Sequence, residues 1–414
     1  MNAALGAGML IVLGFLGSRL VRRLKLPAVT GYLVMGIVLG PSVANMLTKE
    51  TSGQLSHVVT PLALGIIAYM IGGSLPLSTL KGLRRNIAFI TLAEGTFAWV
   101  FVLVLVAFVA PLVLPSVDLG FTDFLAMGII IGGISLATAP AVTMAIIEET
   151  KARGPLTTTL LGVIALDDGL AIIAYAFAVG IGASLLGAVT NVSPVTLVLT
   201  ELGHIGLSVV LGGVCAFVIL GLAHFTTNRR EYLALVLGVV VISAELAAQF
   251  DLFPLIANMA MGFVVVNREK PSQDLIGVVH DIQELVFVLF FALAGSHLDL
   301  GIIGSAGTLA GLIVLGRSGG KVLGAWVGAT ASHAPSTVRK YLGMALMPKA
   351  GVTVGLTLLV VETPELHAIS SLLVSAVLAS TLINELFTPA LSKLALVKAG
   401  ESHRDENERG VGSD

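Results

Sequence analysis

Thirteen apolar stretches follow one another through this chain, each near or above the length of a membrane crossing, with little between them. They fall at about 3–20, 28–47, 55–75, 86–114, 121–147, 156–185, 201–224, 232–249, 253–267, 281–300, 305–331, 340–361 and 367–392. A hydrocarbon core of ~30 Å takes about 20 apolar residues to cross as a helix. In lipid the backbone must satisfy itself, so stretches of this length read as helices. Charge agrees: Asp, Glu, Lys and Arg make up 12% of the 414 residues, against about 25% in soluble domains. That is too little to cover a fold in water. The expectation is an all-α polytopic membrane protein of about 13 transmembrane helices, with the lipid bilayer as its solvent and no nucleic-acid partner.

The connections carry their charge unevenly. Those after odd-numbered stretches hold Arg19, Arg22, Arg23, Lys25, Lys81, Arg84, Arg85, Lys151, Arg153, Arg229, Arg230, Arg268, Lys270, Arg339 and Lys340, most of the 23 basic residues. Those after even-numbered stretches hold Lys49 alone, with Asp118, Asp251, Asp299, Glu362 and Glu365 among their acids. A miscounted stretch would scramble this alternation. By the positive-inside rule the N-terminus is extracytoplasmic and the C-terminus cytoplasmic, in a plasma (inner) membrane. The first stretch lacks a basic leader and reads as a crossing, not a removable signal. The lone Cys215 excludes an intrachain disulfide or a cysteine metal site. Residues 1–392 read as one transporter domain and 393–414 as a polar cytoplasmic tail, disordered beyond Ala399.

Within the domain, an inverted repeat fits: repeat one about 1–185, a linker helix about 201–224, and repeat two about 232–392. Stretch n then corresponds to stretch n+7 in opposite topology. Stretches 5 and 12 each carry a proline near the middle, Pro140 and Pro348. Proline removes a backbone bond and disfavours helix in the residue before it. Paired interrupted helices in corresponding positions point to a midplane binding site in a secondary transporter.

Eight charges stand inside apolar stretches: Glu94, Asp167, Asp168, Glu245, Glu284, Arg317, Lys321 and Lys349. Each costs about 2.5–3.5 kcal/mol at the bilayer centre unless it pairs or meets water. Asp167 and Asp168 are the sharpest signal. Adjacent helical residues point ~100° apart, so one carboxylate can hold a fixed counter-charge while the other faces a cavity and trades a proton for a cation. Arg317 and Lys321, four apart, share a helix face. Gly316, Gly320, Gly324 and Gly328 form a smooth stripe beside them for close helix contact. Expected pairs are Lys321 with Asp167 and Arg317 with Glu94. Lys349, beside the second break, is expected to compensate the broken-helix dipoles. Ser135 and Thr138, near the first break, are candidate oxygen ligands, as is Thr143. Glu245 and Glu284 carry no assignment. The chain has no phosphate loop, metal-spaced His/Cys cluster or nucleophile–His–Asp pattern. An ion gradient, not ATP, is the expected driving force, with no enzymatic activity and no cofactor.

Six segments carry a resemblance: LPAVTGYLVMGIVLGP (26–41), ISLATAPAV (134–142), LDDG (166–169), LVFVLFFALAGSHLDL (285–300), GRSGGKVLGAW (316–326) and LMPKAGVTVGL (346–356). Through them the chain resembles the monovalent cation/proton antiporter superfamily, in particular bacterial sodium/proton antiporters with thirteen helices and an Asp-Asp motif. The resemblance implies two crossed, discontinuous helices beside the aspartates, and a homodimer with a mobile core. It implies that Asp168 binds the ion, that Asp167 partners Lys321 and reaches the Na⁺ in turn, and that two protons exchange per sodium. Two departures stand out: ATAP lacks the acidic residue some relatives carry at the first break, and PKAGV replaces an arginine–glycine–glutamate run. The transported ions are then Na⁺, with Li⁺ as a second substrate, and H⁺. The alternatives are a K⁺/H⁺ exchanger, a sodium-coupled organic anion symporter of the same architecture and, in a different class, a cation channel.

Overall fold

The computed structural model describes residues 3–23, 28–77, 85–187, 194–226, 228–268, 272–298, 300–349 and 352–402. Among these the chain is helical and holds no strand. Lys25, Lys81, Arg84, Lys270, Asp299 and the tail past residue 402 lie outside the described residues. Each apolar stretch holds helix. In chain order these are α1 (Ala3–Arg23), α2 (Ala28–Leu39), α3 (Lys49–Gly73) and α4 (Arg85–Val104, carried through a π turn at Leu105–Val109 to Val113). Next come α5a (Phe121–Ile134), α5b (Pro140–Thr150), α6 (Pro155–Leu185), α7 (Pro194–Ala223), α8 (Arg229–Gln249) and α9 (Pro254–Val266). The rest are α10a (Ser272–His280), α10b (Gln283–Ser296), α11 (Ile303–Ala331), α12a (Ser336–Ala345), α12b (Val352–Glu362) and α13 (His367–Lys398). Seven helices are long and apolar enough to cross a membrane alone, and the pair α10a–α10b, bent by 49°, makes an eighth.

The boundaries moved where polar residues extend a helix. Thr48 caps α3 by accepting from the Thr51 amide, so this helix begins well before residue 55. α10a is an amphipathic addition inside what reads as a connection. α13 runs to Lys398, and Gly400, at φ +74°, turns the chain so that Glu401 folds back. Both Glu401 carboxylate oxygens cap α6, accepting from Leu156 N at 2.7 Å and from Thr157 N and Oγ1 at 2.8 Å. Disorder past Ala399 therefore does not hold at Glu401, because three donors at a helix start fix it.

Packing sorts the helices into two bundles. α4, α5, α6, α11, α12 and α13 pack densely on one another, as do α1, α2, α3 and α7–α10, and few contacts cross between the sets. In the second set α2 lies against α10b, and α3 against α9, through glycines that leave no room for a side chain: Gly36 at the Ala292 carbonyl and Gly262 at the Tyr69 carbonyl. These two pairings are equivalents under an n+7 repeat. Helix ends meet by the parity of their connections. Arg22 meets Glu284 at 3.2 Å, Arg229 meets Asp281 at 2.8 Å, and Arg153 N donates to the Glu401 carbonyl at 3.0 Å on the basic face. On the opposite face Ser42 Oγ donates to the Leu298 carbonyl at 2.9 Å.

Candidate functional site

The site grows out of one close helix contact. The glycine stripe of α11 lies on the backbone of α4: a Cβ on Gly316, Gly320, Gly324 or Gly328 would stand 3.1, 2.5, 2.5 and 2.9 Å from the Cα atoms of Val102, Ala98, Glu94 and Ile90. Glycine recurs every four residues and so does the facing row, so the two backbones run together for several turns. That proximity carries Lys321 to Glu94: Nζ lies 2.8 Å from Oε2, at an angle outside hydrogen bonding, with both side chains buried.

Beyond that seam the interrupted helices α5 and α12 meet. Ala139 N, in the α5 break, donates to the Pro348 carbonyl, in the α12 break, at 3.0 Å. A helix that stops in mid-membrane leaves carbonyls bare and a partial negative charge at its C-terminal end. Arg317 meets both needs. Its guanidinium donates to the carbonyls of Ser135 (3.0 Å), Ala137 (2.8 Å), Met347 (2.7 Å) and Pro348 (3.5 Å). The expected Arg317–Glu94 pair is thus corrected. Glu94 belongs to Lys321, and Arg317 spends its planar fork on the carbonyls of both breaks.

Lys321 is the hub. Its ammonium donates to Asp167 Oδ2 at 2.8 Å, to Thr138 Oγ1 at 3.0 Å and to the Leu136 carbonyl at 2.5 Å. Thr138 in turn donates to the same Asp167 oxygen. Three ammonium protons thus face four oxygens once Glu94 is counted, so the buried cation can shift its bonds without leaving the cluster. The expected Lys321–Asp167 pair is present. Asp168, one residue on, is buried and has no ion pair among the described residues, and its Oδ1 is without a hydrogen-bond partner. A bare carboxylate in such a place is costly, and a proton or a small cation removes the cost.

The remaining expected residues fall as follows. Ser135 Oγ is buried beside the first break without a partner, and Thr143 Oγ1 bonds its own helix at the Ala139 carbonyl, 3.0 Å away. Lys349 is buried and, among the described residues, reaches Ser380 Oγ on α13 at 3.2 Å and no carbonyl of a helix end. Glu245 is exposed, and Glu284 is exposed at the basic face, where Arg22 and Tyr32 bond it. Besides the Glu401 cap, one carboxylate buried within a helix went unread in the sequence among the described residues. Glu385, in α13, is 2% exposed and accepts from Thr30 Oγ1 at 3.1 Å. Its signal was the usual one, an acid inside an apolar run, masked by Asn384 before it and Pro389 after it, which together look like a helix end. Among the described residues no group of three or more His, Cys, Asp and Glu is placed to hold a resident metal ion.

Comparison with known proteins decides the family. The family model described as "Sodium/hydrogen exchanger, transmembrane" matches residues 8–393. The chain belongs to that family. This exchanger is a multi-pass membrane protein and a cation/proton antiporter. It is similar to an ammonium/H⁺ antiporter subunit, AmhT, of Alkalihalophilus pseudofirmus, at 22% identity over 71% of this chain and 70% of the relative. It is also similar to a Na⁺/H⁺ antiporter, NhaP, of Pseudomonas aeruginosa, at 27% identity over 62% of this chain and 63% of the relative. Its fold matches that of the sodium proton antiporter MjNhaP1 of Methanocaldococcus jannaschii at pH 8, with a TM-score of 0.77, 17% identity, and coverage of 96% of this chain and 98% of that one. The recognition made from the sequence segments stands.

Proposed function

We propose that this exchanger passes Na⁺, with Li⁺ as a second substrate, against protons by alternating access at Asp168. The reading rests on one observation: Asp167 is held by Lys321 and Thr138, while its neighbour Asp168, also buried, has no ion pair among the described residues and an Oδ1 without a hydrogen-bond partner. Deprotonated Asp168 binds the partly dehydrated cation. Asp167 turns from Lys321 to the cation as it arrives, and Glu94, already 2.8 Å from the ammonium, keeps Lys321 paired meanwhile. When the cation leaves, a proton takes its place on Asp168 and Asp167 returns to Lys321. In both loaded states the buried charge is balanced, and a balanced bundle can carry its midplane site from one face to the other. Arg317 keeps the two breaks together during the movement.

On this reading the thirteen helical stretches are thirteen crossings. α1–α6 and α8–α13 are inverted repeats joined by α7, and the bundle of α4–α6 and α11–α13 is the mobile one. The basic face is cytoplasmic, with the C-terminus on that side of the plasma membrane and the N-terminus outside, and two copies associate through the static bundle. No cofactor takes part.

The test is cation-driven proton flux in proteoliposomes with Na⁺, Li⁺, K⁺ and NH₄⁺, ammonium being included because one relative is named for it. Wild type should respond to Na⁺ and Li⁺, and Asp168→Asn to none of the four. Exchange at the wild-type rate in that variant would defeat the assignment. A response to K⁺ alone would make it a K⁺/H⁺ exchanger, and current without proton movement would make it a channel.

A further inference from the structure

Glu385 is not used by the cycle above. It lies 13 residues before the end of α13 at Lys398, or ~20 Å at 1.5 Å per residue. Asp168 lies 13 residues after the start of α6 at Pro155. Glu401 joins those two helix ends, so both carboxylates sit at comparable depth. Glu385 faces the seam between the bundles. Among the described residues its single hydrogen bond comes from Thr30, in the first turn of α2 across the seam, and its Oε1 is buried without a partner.

A structural salt bridge does not explain it, since no cation among the described residues lies within ion-pair distance of its carboxylate. Arg317 and Lys321 on α11 are turned to the breaks and to Asp167 and Glu94. Lys349 stops at Ser380, five residues or ~7.5 Å along α13 from Glu385. On α12, Arg339, Lys340 and Glu362 are exposed and Tyr341 is half-buried. Tyr32 on α2 is bonded to Glu284, and His367, Lys393 and Lys398 lie toward the ends of α13. The side chains of Glu148 and Glu149 on α5b lie outside the described residues. A glutamine would fill the same space and accept the same bond from Thr30 without any cost of ionisation. Buried polar side chains continue along α13: Ser380, Asn384, Thr388 and Ser392 recur every four residues, and Asn384 Oδ1 is also without a partner. The hydroxyls of Ser380, Thr388 and Ser392 donate to the carbonyls of Val377, Asn384 and Ala345, so the open polar atoms of this stretch are Asn384 Oδ1 and the neighbouring Glu385 Oε1.

We propose that Glu385 takes up and releases a proton in each exchange cycle, in step with the making and breaking of its bond to Thr30 as one bundle moves past the other. The inference rests on the alternating-access reading above. Glu385 rides on the mobile bundle and slides along α2. It crosses with its proton on the stroke that carries the proton on Asp168, the proton removing the cost of a bare charge in that apolar seam. It crosses without it on the stroke that carries the cation, so one further H⁺ moves per Na⁺. The bond to Thr30 marks the position at which it is held.

The experiment uses the full-length protein in proteoliposomes, with the H⁺ to Na⁺ ratio read from the sodium gradient that cancels a fixed pH gradient at zero membrane potential and at an imposed one. Glu385→Gln should still exchange, with the ratio lower by one H⁺ per Na⁺, and Glu385→Asp should keep the wild-type ratio. Thr30→Ala should keep the ratio and move the pH of half-maximal rate by half a unit or more. An unchanged ratio in Glu385→Gln overturns the proposal, as does a loss of rate uniform with pH. If that variant does not assemble, Thr30→Ala decides, and a wild-type pH profile there overturns it. Failure of the wider reading is seen separately, as exchange that survives Asp168→Asn.

Discussion

Gly324 of α11 lies against Glu94 of α4 with no space for even a methyl group: a Cβ there would stand 2.5 Å from the Glu94 Cα and 2.7 Å from the Ala93 carbonyl oxygen. The obstruction is backbone, which cannot swing aside as the end of a side chain can. The spacing of the two helices, and with it the 2.8 Å separation of Lys321 from Glu94, depends on that missing methyl.

Gly324→Ala should therefore destabilise the protein by about 1–3 kcal/mol through overpacking and weaken exchange by moving Lys321. Gly311 sits on the same helix with nothing within 4 Å of its would-be Cβ. Gly311→Ala should melt at or slightly above the wild-type temperature, since alanine favours helix by about 1 kcal/mol over glycine. Melting of the two purified variants in detergent checks both.

Arg317→Gln leaves carbonyls of both breaks without donors, at about 1–3 kcal/mol for each buried group. Loss of folded protein is expected. Arg317→Lys keeps the charge but not the planar fork, so it should fold poorly and exchange little. Hydrogen exchange at the amide of Ala139, bonded across to Pro348, reads the effect directly. Protection equal to wild type in Arg317→Lys would show that charge alone holds the breaks.

Lys321→Gln strands two buried carboxylates, Asp167 and Glu94, and breaking a buried pair costs about 3–5 kcal/mol. Adding Glu94→Gln should recover part of that stability, because it removes one of the stranded charges. A double-mutant cycle on melting measures the Lys321–Glu94 coupling, and strict additivity would mean that Glu94 is not its partner in solution.

Glu401→Ala removes the acceptor for the first amides of α6, a loss of about 0.5–2 kcal/mol by analogy with other helix caps. Asp167 and Asp168 lie several turns further along α6. The expected outcome is a lower melting temperature with the apparent Na⁺ affinity unchanged.

Much of this was legible in the sequence, and the exceptions have physical reasons. Pro140 and Pro348 marked the two breaks because proline acts on the backbone locally. The four-residue glycine spacing marked the face of α11 that meets another helix, and Asp167 with Lys321 followed from the cost of burying either alone. The Arg317–Glu94 pairing failed because spacing along α11 gives a direction around that helix and not the depth at which its neighbour ends. The sequence also could not show that mid-membrane carbonyls would compete with carboxylates for the guanidinium. Glu385 was hidden by its flanking residues, and its partner Thr30 is 355 residues away. The helical continuation to Lys398 was missed because the polar tail composition hides a turn that only Gly400 and the Glu401 cap make visible.

The Glu401 cap also has a consequence in time. Leu156 and Glu401 are 245 positions apart. At roughly 5–20 residues per second of synthesis, the helix bearing both aspartates waits on the order of ten to fifty seconds for the side chain that completes its first turn. Insertion of that helix must precede its fastening, so a ribosome that stalls late leaves an inserted bundle whose aspartate-bearing helix is still open at its basic end.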